Sequence, residues 1–113
     1  MSIEKLHPEI KQKWIDNLLS GEYRQGIETL HINKNCMCCL GVLAITCGVP
    51  LKQLKNCDFL LPSHNNFIEN KEHQIPKSLL FGGKIGETLA NMNDELRKSF
   101  EEIAEYIKNN EEI

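Results

Sequence analysis

Apolar side chains recur with a helical period near both ends of the chain and lose that period in the middle. Pro8 suits the first turn of a helix, where its missing N–H would be unpaired anyway, and Ile10, Trp14 and Leu18 then repeat at i, i+4, i+8. The spacing predicts a helix over Pro8–Leu19. Ser20-Gly21 ends it, because glycine takes the left-handed conformation of a helix C-terminus without a side-chain clash. Towards the other end, Leu96, Phe100, Ile103 and Ile107 line one face, while Lys98 and Glu102 pair at i, i+4 on the charged face. This pattern predicts an amphipathic helix over Asp94–Asn109 with Asn93 or Asp94 as its cap.

Between them, Cys39 to Cys47 is almost wholly apolar, so periodicity cannot separate a buried strand from a buried helix. Gly48-Val49-Pro50 is a helix-stop pattern and decides for a helix, buried on all sides at the centre of the fold. Gly41 inside it costs about 1 kcal/mol relative to Ala, which marks a place where another backbone or a ligand comes close. Over Tyr23–Ile32 apolar and polar positions alternate, with Ile27, Thr29 and Ile32 β-branched and Asn33-Lys34-Asn35 as turn chemistry. A short hairpin of Gly26–Ile32 against Cys36–Cys38 is expected.

Leu51–Gln74 keeps no period, carries Pro62 and the polar string Ser63-His64-Asn65-Asn66, and reads as surface loop. Ile75-Pro76 opens a short helix through Leu79-Leu80, closed by Gly82-Gly83, and a brief turn over Gly86–Met92 leads into Asn93. The elements add up to a small α+β fold, mainly α with a short β-hairpin, in which amphipathic helices surround a buried central helix in one domain, 1–113.

Composition narrows the function. With 41% hydrophobic and 26% charged residues the chain is neither disordered nor fibrous. A net charge of -3, with no basic cluster longer than Arg97-Lys98, gives little counterion-release affinity for nucleic acid. Ile85–Met92 followed by the last helix could suggest a helix-turn-helix. However, Asp94, Glu95, Glu101, Glu102 and Glu105 outnumber Arg97, Lys98 and Lys108 on the second element and would repel phosphates. Met1–Pro8 lacks the apolar stretch of a leader, and no apolar run approaches the roughly 20 residues of a bilayer span. A cytoplasmic protein without nucleic-acid or membrane partners is expected.

Candidate chemistry is sparse. The five cysteines, Cys36, Cys38, Cys39, Cys47 and Cys57, are odd in number and have apolar neighbours, so they read as reduced thiols packed as small hydrophobes. Cys36-Met37-Cys38-Cys39 lacks the paired spacing of a zinc site, and no metal or cofactor is assigned. A thiol nucleophile would need a base among His31, His64 and His73 with an orienting partner, a set the sequence does not assemble. Gly82-Gly83-Lys84 lacks the remaining residues of a phosphate loop. The chain therefore reads as non-enzymatic.

One polar cluster stands out. In Gly21-Glu22-Tyr23-Arg24-Gln25-Gly26 an aromatic face, a planar guanidinium and an amide occupy consecutive positions between glycines, a set suited to stacking on a flat ring and bonding an anion or base edge. The plainer alternative is a turn in which Tyr23 packs its ring and Gln25 caps backbone groups. Tyr23, Arg24 and Gln25, with the Asn93-Asp94 corner, are the candidate ligand-binding residues.

The motifs Trp14…Leu18-x-Ser20-Gly21-x-Tyr23-x-Gln25-Gly26, Cys38-Cys39-Leu40-Gly41-Val42-Leu43, Leu89-Ala90-x-Met92-Asn93-Asp94 and Phe100-x-x-Ile103-Ala104-x-x-Ile107 together resemble a family of small proteins encoded by tailed bacteriophages and prophages. The resemblance implies a phage accessory protein in a bacterial host cytoplasm. By analogy with other small phage proteins, it would act against host defence by binding and sequestering a small nucleotide-like signal. The alternative is a protein–protein inhibitor of a host factor, and third stands a thiol-dependent enzyme. A homo-oligomer is compatible with each.

Overall fold

The computed structural model describes residues 5–27, 29–30 and 36–113. Helix α1 spans Pro8–Leu19 with Pro8 in its first turn, and His7 caps it by accepting the Glu9 N–H through Nδ1 at 3.1 Å. Helix α2, Cys39–Cys47, ends where Gly48 takes φ 107° and returns its N–H to the Ala44 and Ile45 carbonyls. α2 is buried over nearly its whole length, as the apolar run requires. A methyl at Gly41 would run into the Leu30 carbonyl, so the close approach marked by this glycine is that of a neighbouring backbone.

The sheet differs from expectation. β1 is Arg24–Gln25 and β2 is Cys36–Met37; they run parallel, Arg24 opposite Cys36 and Gln25 opposite Met37. Gly26 N–H adds a bond to the Met37 carbonyl at 2.8 Å. The expected hairpin placed its first arm at 26–32; residues 28 and 31–35, with His31 and the Asn33-Lys34-Asn35 turn, lie outside the described residues. Parallel pairing needs a connection longer than a hairpin turn, and residues 26–35 separate the two strands in sequence.

The last third is also redivided. The turn expected at Gly86–Met92 is part of a full helix, α3, Lys84–Asp94, and the final helix, α4, is shorter than predicted, Phe100–Asn109. Asn93 and Asp94 therefore close α3 and do not cap α4. Ser99 caps α4 in a reciprocal box with Glu102. Leu96, read as the first residue of the apolar face, is 57% exposed, and Arg97 breaks the path at φ 52°. Leu96 and Phe100 sit four apart, but Leu96 lies between the two helices and shares no helical face with Phe100.

Residues 51–79, expected as loop, contain 3-10 turns at Leu51–Gln53, Pro62–Phe67, Lys71–His73 and Lys77–Leu79 that bury Leu54, Leu60 and Ile68. His64 is buried here and holds two backbone groups: Nδ1 accepts the Leu61 N–H at 2.9 Å, which leaves the ring Nε2–H to donate to Gln53 O at 3.2 Å. Asn65 bonds both the N–H and the carbonyl of Ile75, at 2.7 and 3.0 Å. Side chains thus do the pairing that a sheet would otherwise do, and the segment is a built part of the fold.

α1 packs on α2 and α4, and α3 packs on α2 and α4. One hydrophobic cluster runs through all four helices and the turns, with Trp14 wholly buried and its Nε1–H on the Cys39 carbonyl at 3.0 Å. No helix among the described residues is long and apolar enough to cross a membrane.

Candidate functional site

Among the described residues, expected site residues meet at one corner, and a cavity opens between the Phe59–Leu60 segment, the Leu79–Gly82 stretch and α3.

The corner is real as a juxtaposition. Gln25, Asn93 and Asp94 come together although β1 and the end of α3 are far apart in sequence. Asn93 is 1% exposed. Its Nδ2 donates to the Gly26 carbonyl and to Asp94 Oδ1, both at 2.8 Å. Its Oδ1 accepts from Gln25 Nε2 at 2.9 Å and from the Cys39 N–H at 3.2 Å. A primary amide has two donors and two acceptor sites, so these four bonds saturate it. Cys39 opens α2, whose own N-cap residue, Cys38, makes no side-chain cap bond; Asn93 satisfies that helix end from outside.

Gln25 Nε2 also donates to the Lys98 carbonyl at 2.6 Å, tying β1 to the α3–α4 connection. Tyr23 is half-buried and packs on the core, whereas Arg24 is exposed. Of the five expected contacts, Gln25, Asn93 and Asp94 are engaged with one another, and Arg24 presents a charged group outward.

The thiols near this corner are core groups. Burial pushes Cys38 up to about 11 against the pull of the Gly41 and Leu40 backbone amides, pushes Cys47 up to about 12, and raises Cys39 well above the ordinary thiol range. At neutral pH all three stay protonated, and the thiol is a poor nucleophile and metal ligand compared with the thiolate.

The second place is a cavity of about 280 Å³ lined by Leu40, Leu60, Leu79, Leu80, Gly86 and Ala90, with Phe59 and Phe81 at its edge. Those two rings contact each other with centroids 4.7 Å apart and a 53° tilt. They remain 49% and 56% exposed. The Phe81 N–H donates to the Leu60 carbonyl at 2.7 Å, which fixes the two segments side by side. Gly83 and Gly86 let the start of α3 press onto the Lys77–Leu79 turn, because a methyl at either would meet backbone carbonyls of that turn. Among the described residues of the lining, Glu87 is the ionisable one.

Nothing in the sequence pattern marked these rings: Phe59 lies in a stretch without period, and Phe81 precedes Gly82-Gly83 outside any helical face. A third grouping was equally invisible. His7 and Glu9, at the start of α1, meet His73, 66 positions after His7, with one ligand atom of each within 4.8 Å of the others.

Residues 6–75 match a family described as a domain of unknown function (DUF8296). No curated protein and no solved structure matches the chain.

Proposed function

The chain belongs to the DUF8296 family, a description that assigns no activity, and we propose from its geometry that it is a non-catalytic binding protein whose cavity at Phe59 and Phe81 receives an apolar side chain of a protein partner. The observation that carries this reading is the pair of half-exposed phenylalanines at the mouth of an apolar cavity. Contiguous exposed apolar surface beside a pocket marks interaction sites, and an aromatic or aliphatic anchor seated in such a pocket supplies most of the energy of many interfaces. The volume, about 280 Å³, is ample for one side chain and stands at the lower edge of the range of small-molecule pockets. Glu87 at the lining opposes a phosphate. The resemblance of the motifs to small phage proteins supports a host protein in the bacterial cytoplasm as the partner, and the protonated buried thiols support a role without covalent catalysis.

The nucleotide-binding reading keeps one specific observation in its favour: Arg24 is exposed and makes its charge available to an anion. Its other contacts would have to leave bonds they already make.

The test uses a photo-crosslinking phenylalanine analogue at position 81, or at position 24, in cells carrying the full chain, followed by affinity measurement with the purified crosslinked partner. Crosslinking from position 81, with binding weakened at least tenfold by Phe81→Ala or by Ala90→Phe, which fills the cavity, is expected; burying one large apolar side chain is worth about 1.5–3 kcal/mol. A thermal-shift screen of cyclic dinucleotides and cyclic mononucleotides runs in parallel. Stabilisation of wild type that is lost in Arg24→Ala would overturn the cavity reading in favour of the nucleotide one.

A further inference from the structure

We propose that His7, Glu9 and His73 form a binding site for a divalent transition-metal ion of the zinc class, which clamps the start of α1 to the Lys71–His73 turn. The two imidazoles are brought together across 66 positions of sequence and meet edge to face, with centroids 5.1 Å apart and planes at 67°. Glu9, in the first turn of α1, adds a carboxylate, and one ligand atom from each of the three lies within 4.8 Å of the others. Two imidazoles and one carboxylate are a donor set that zinc, cobalt and nickel take readily. Bonds of about 2.0–2.1 Å in tetrahedral geometry put donors roughly 3.3 Å apart. The three groups must therefore close by about 1.5 Å at most, within reach of side-chain rotation at an exposed glutamate and two half-exposed histidines.

A fourth donor stands by. Glu72 Oε2 is 3.9 Å from His7 Nε2. The Asn70 amide nitrogen, 3.4 Å from His73 Nε2, can donate only to a ring nitrogen that bears no proton, so ligation by His73 gives up that contact. Lys5, Lys11 and Glu111 line the adjoining surface groove with His7 and Glu72, so the carboxylates of Glu9, Glu72 and Glu111 offset the two ammonium groups.

The ion competes with a bond of the metal-free fold. His7 Nδ1 accepts the Glu9 N–H, which places the ring proton on Nε2. Ligation through Nδ1 gives up that cap directly. Ligation through Nε2 moves the proton to Nδ1, which then donates and no longer accepts. In either case the ion takes over from the cap the task of holding the start of α1.

The test is calorimetric titration of the reduced full chain with zinc, beside Co²⁺ absorption spectra, for wild type, His73→Gln, Glu9→Gln and His7→Asn. Asparagine at position 7 keeps a good cap acceptor, so that variant separates ligation from helix capping. One ion per chain, an affinity reduced at least about tenfold by each substitution, and a cobalt spectrum without thiolate charge-transfer bands are expected. A zinc-induced rise in Tm should vanish in His73→Gln. The proposal is overturned if wild type takes up no zinc at about 100 μM, if the three variants bind as wild type does, or if thiolate bands show the cysteines to be the ligands.

Discussion

The Asn93 corner and the Phe59–Phe81 cavity stand at the two ends of α3 and spend their chemistry in opposite ways. At the corner, polar groups from β1, α2 and α3 converge and saturate one another, so the energy of the cluster is used in joining the fold. At the cavity, apolar groups converge and leave two rings half in water, so part of the apolar surface remains for something else to cover. A convergence of functional-looking side chains is thus a site only where bonding capacity is left over, and here the apolar grouping is the one that retains it.

The sharpest way to break this contrast is at Asn93. Asn93→Ala removes an acceptor from the buried Cys39 N–H and a donor from the buried Gly26 carbonyl. Each unsatisfied buried group costs about 1–3 kcal/mol, so a loss of roughly 2–6 kcal/mol is expected, a large part of the stability of a small domain. Chemical denaturation measures it. A loss below about 1 kcal/mol would mean that the corner has spare capacity and could bind a ligand after all.

The buried thiols give the next largest effect. Their folded-state pKa values are raised, so the stability they contribute is complete below the ordinary thiol pKa of about 8.5 and drains away as pH climbs towards the values near 11 and 12. Melting temperature should fall above about pH 8.5. Alkylation of the native protein at pH 7.5 should modify the half-buried Cys36 and Cys57 and spare Cys38, Cys39 and Cys47. Rapid labelling of Cys38 or Cys39 would revive the thiol-enzyme reading.

At the cavity the expectation reverses. Phe81→Ala removes a ring that is more exposed than buried, so stability should change by less than about 1 kcal/mol while partner binding drops. If Phe81→Ala instead unfolds the chain, the ring is a core residue and the cavity is no docking surface.

The same contrast explains what the sequence could and could not reveal. α1 and α2 were legible to their ends because a periodic apolar face or an unbroken apolar run was bounded by proline and glycine. The division of α3 from α4 was not, because Leu96 keeps the helical spacing while the turn at Arg97 is fixed by contacts of the folded chain. Gln25 and Asn93 were legible as partners of something polar, but an amide in a sequence does not disclose whether its bonds are filled from within. Phe59, Phe81, His7 and His73 carry no local signal, since they are gathered by the packing of distant segments, among them 3-10 turns held by side-chain bonds such as those of Asn65 and His64.

The smallest effect concerns a polar contact that is neither buried nor free. Glu102 Oε1 accepts the Ser99 N–H at 3.3 Å, and Lys98 Nζ lies 3.6 Å from Oε2. The Ser99 N–H, aided by the Lys98 ammonium, holds the Glu102 carboxyl below the usual carboxylate range. A depressed folded-state value means that the charged form contributes stability above the ordinary glutamate pKa of about 4.3, and that the contribution disappears as pH falls through the depressed value. Glu102→Gln keeps the oxygen acceptor of the capping box but removes the charge. The variant should therefore melt slightly below wild type at pH 7 in low salt. The gap should narrow in high salt, where the exposed pair is screened, and close in acid below about pH 4. A gap that persists unchanged at pH 3 would show that the charge is irrelevant, and that α4 is held at its start by Ser99 and the buried ring of Phe100 alone.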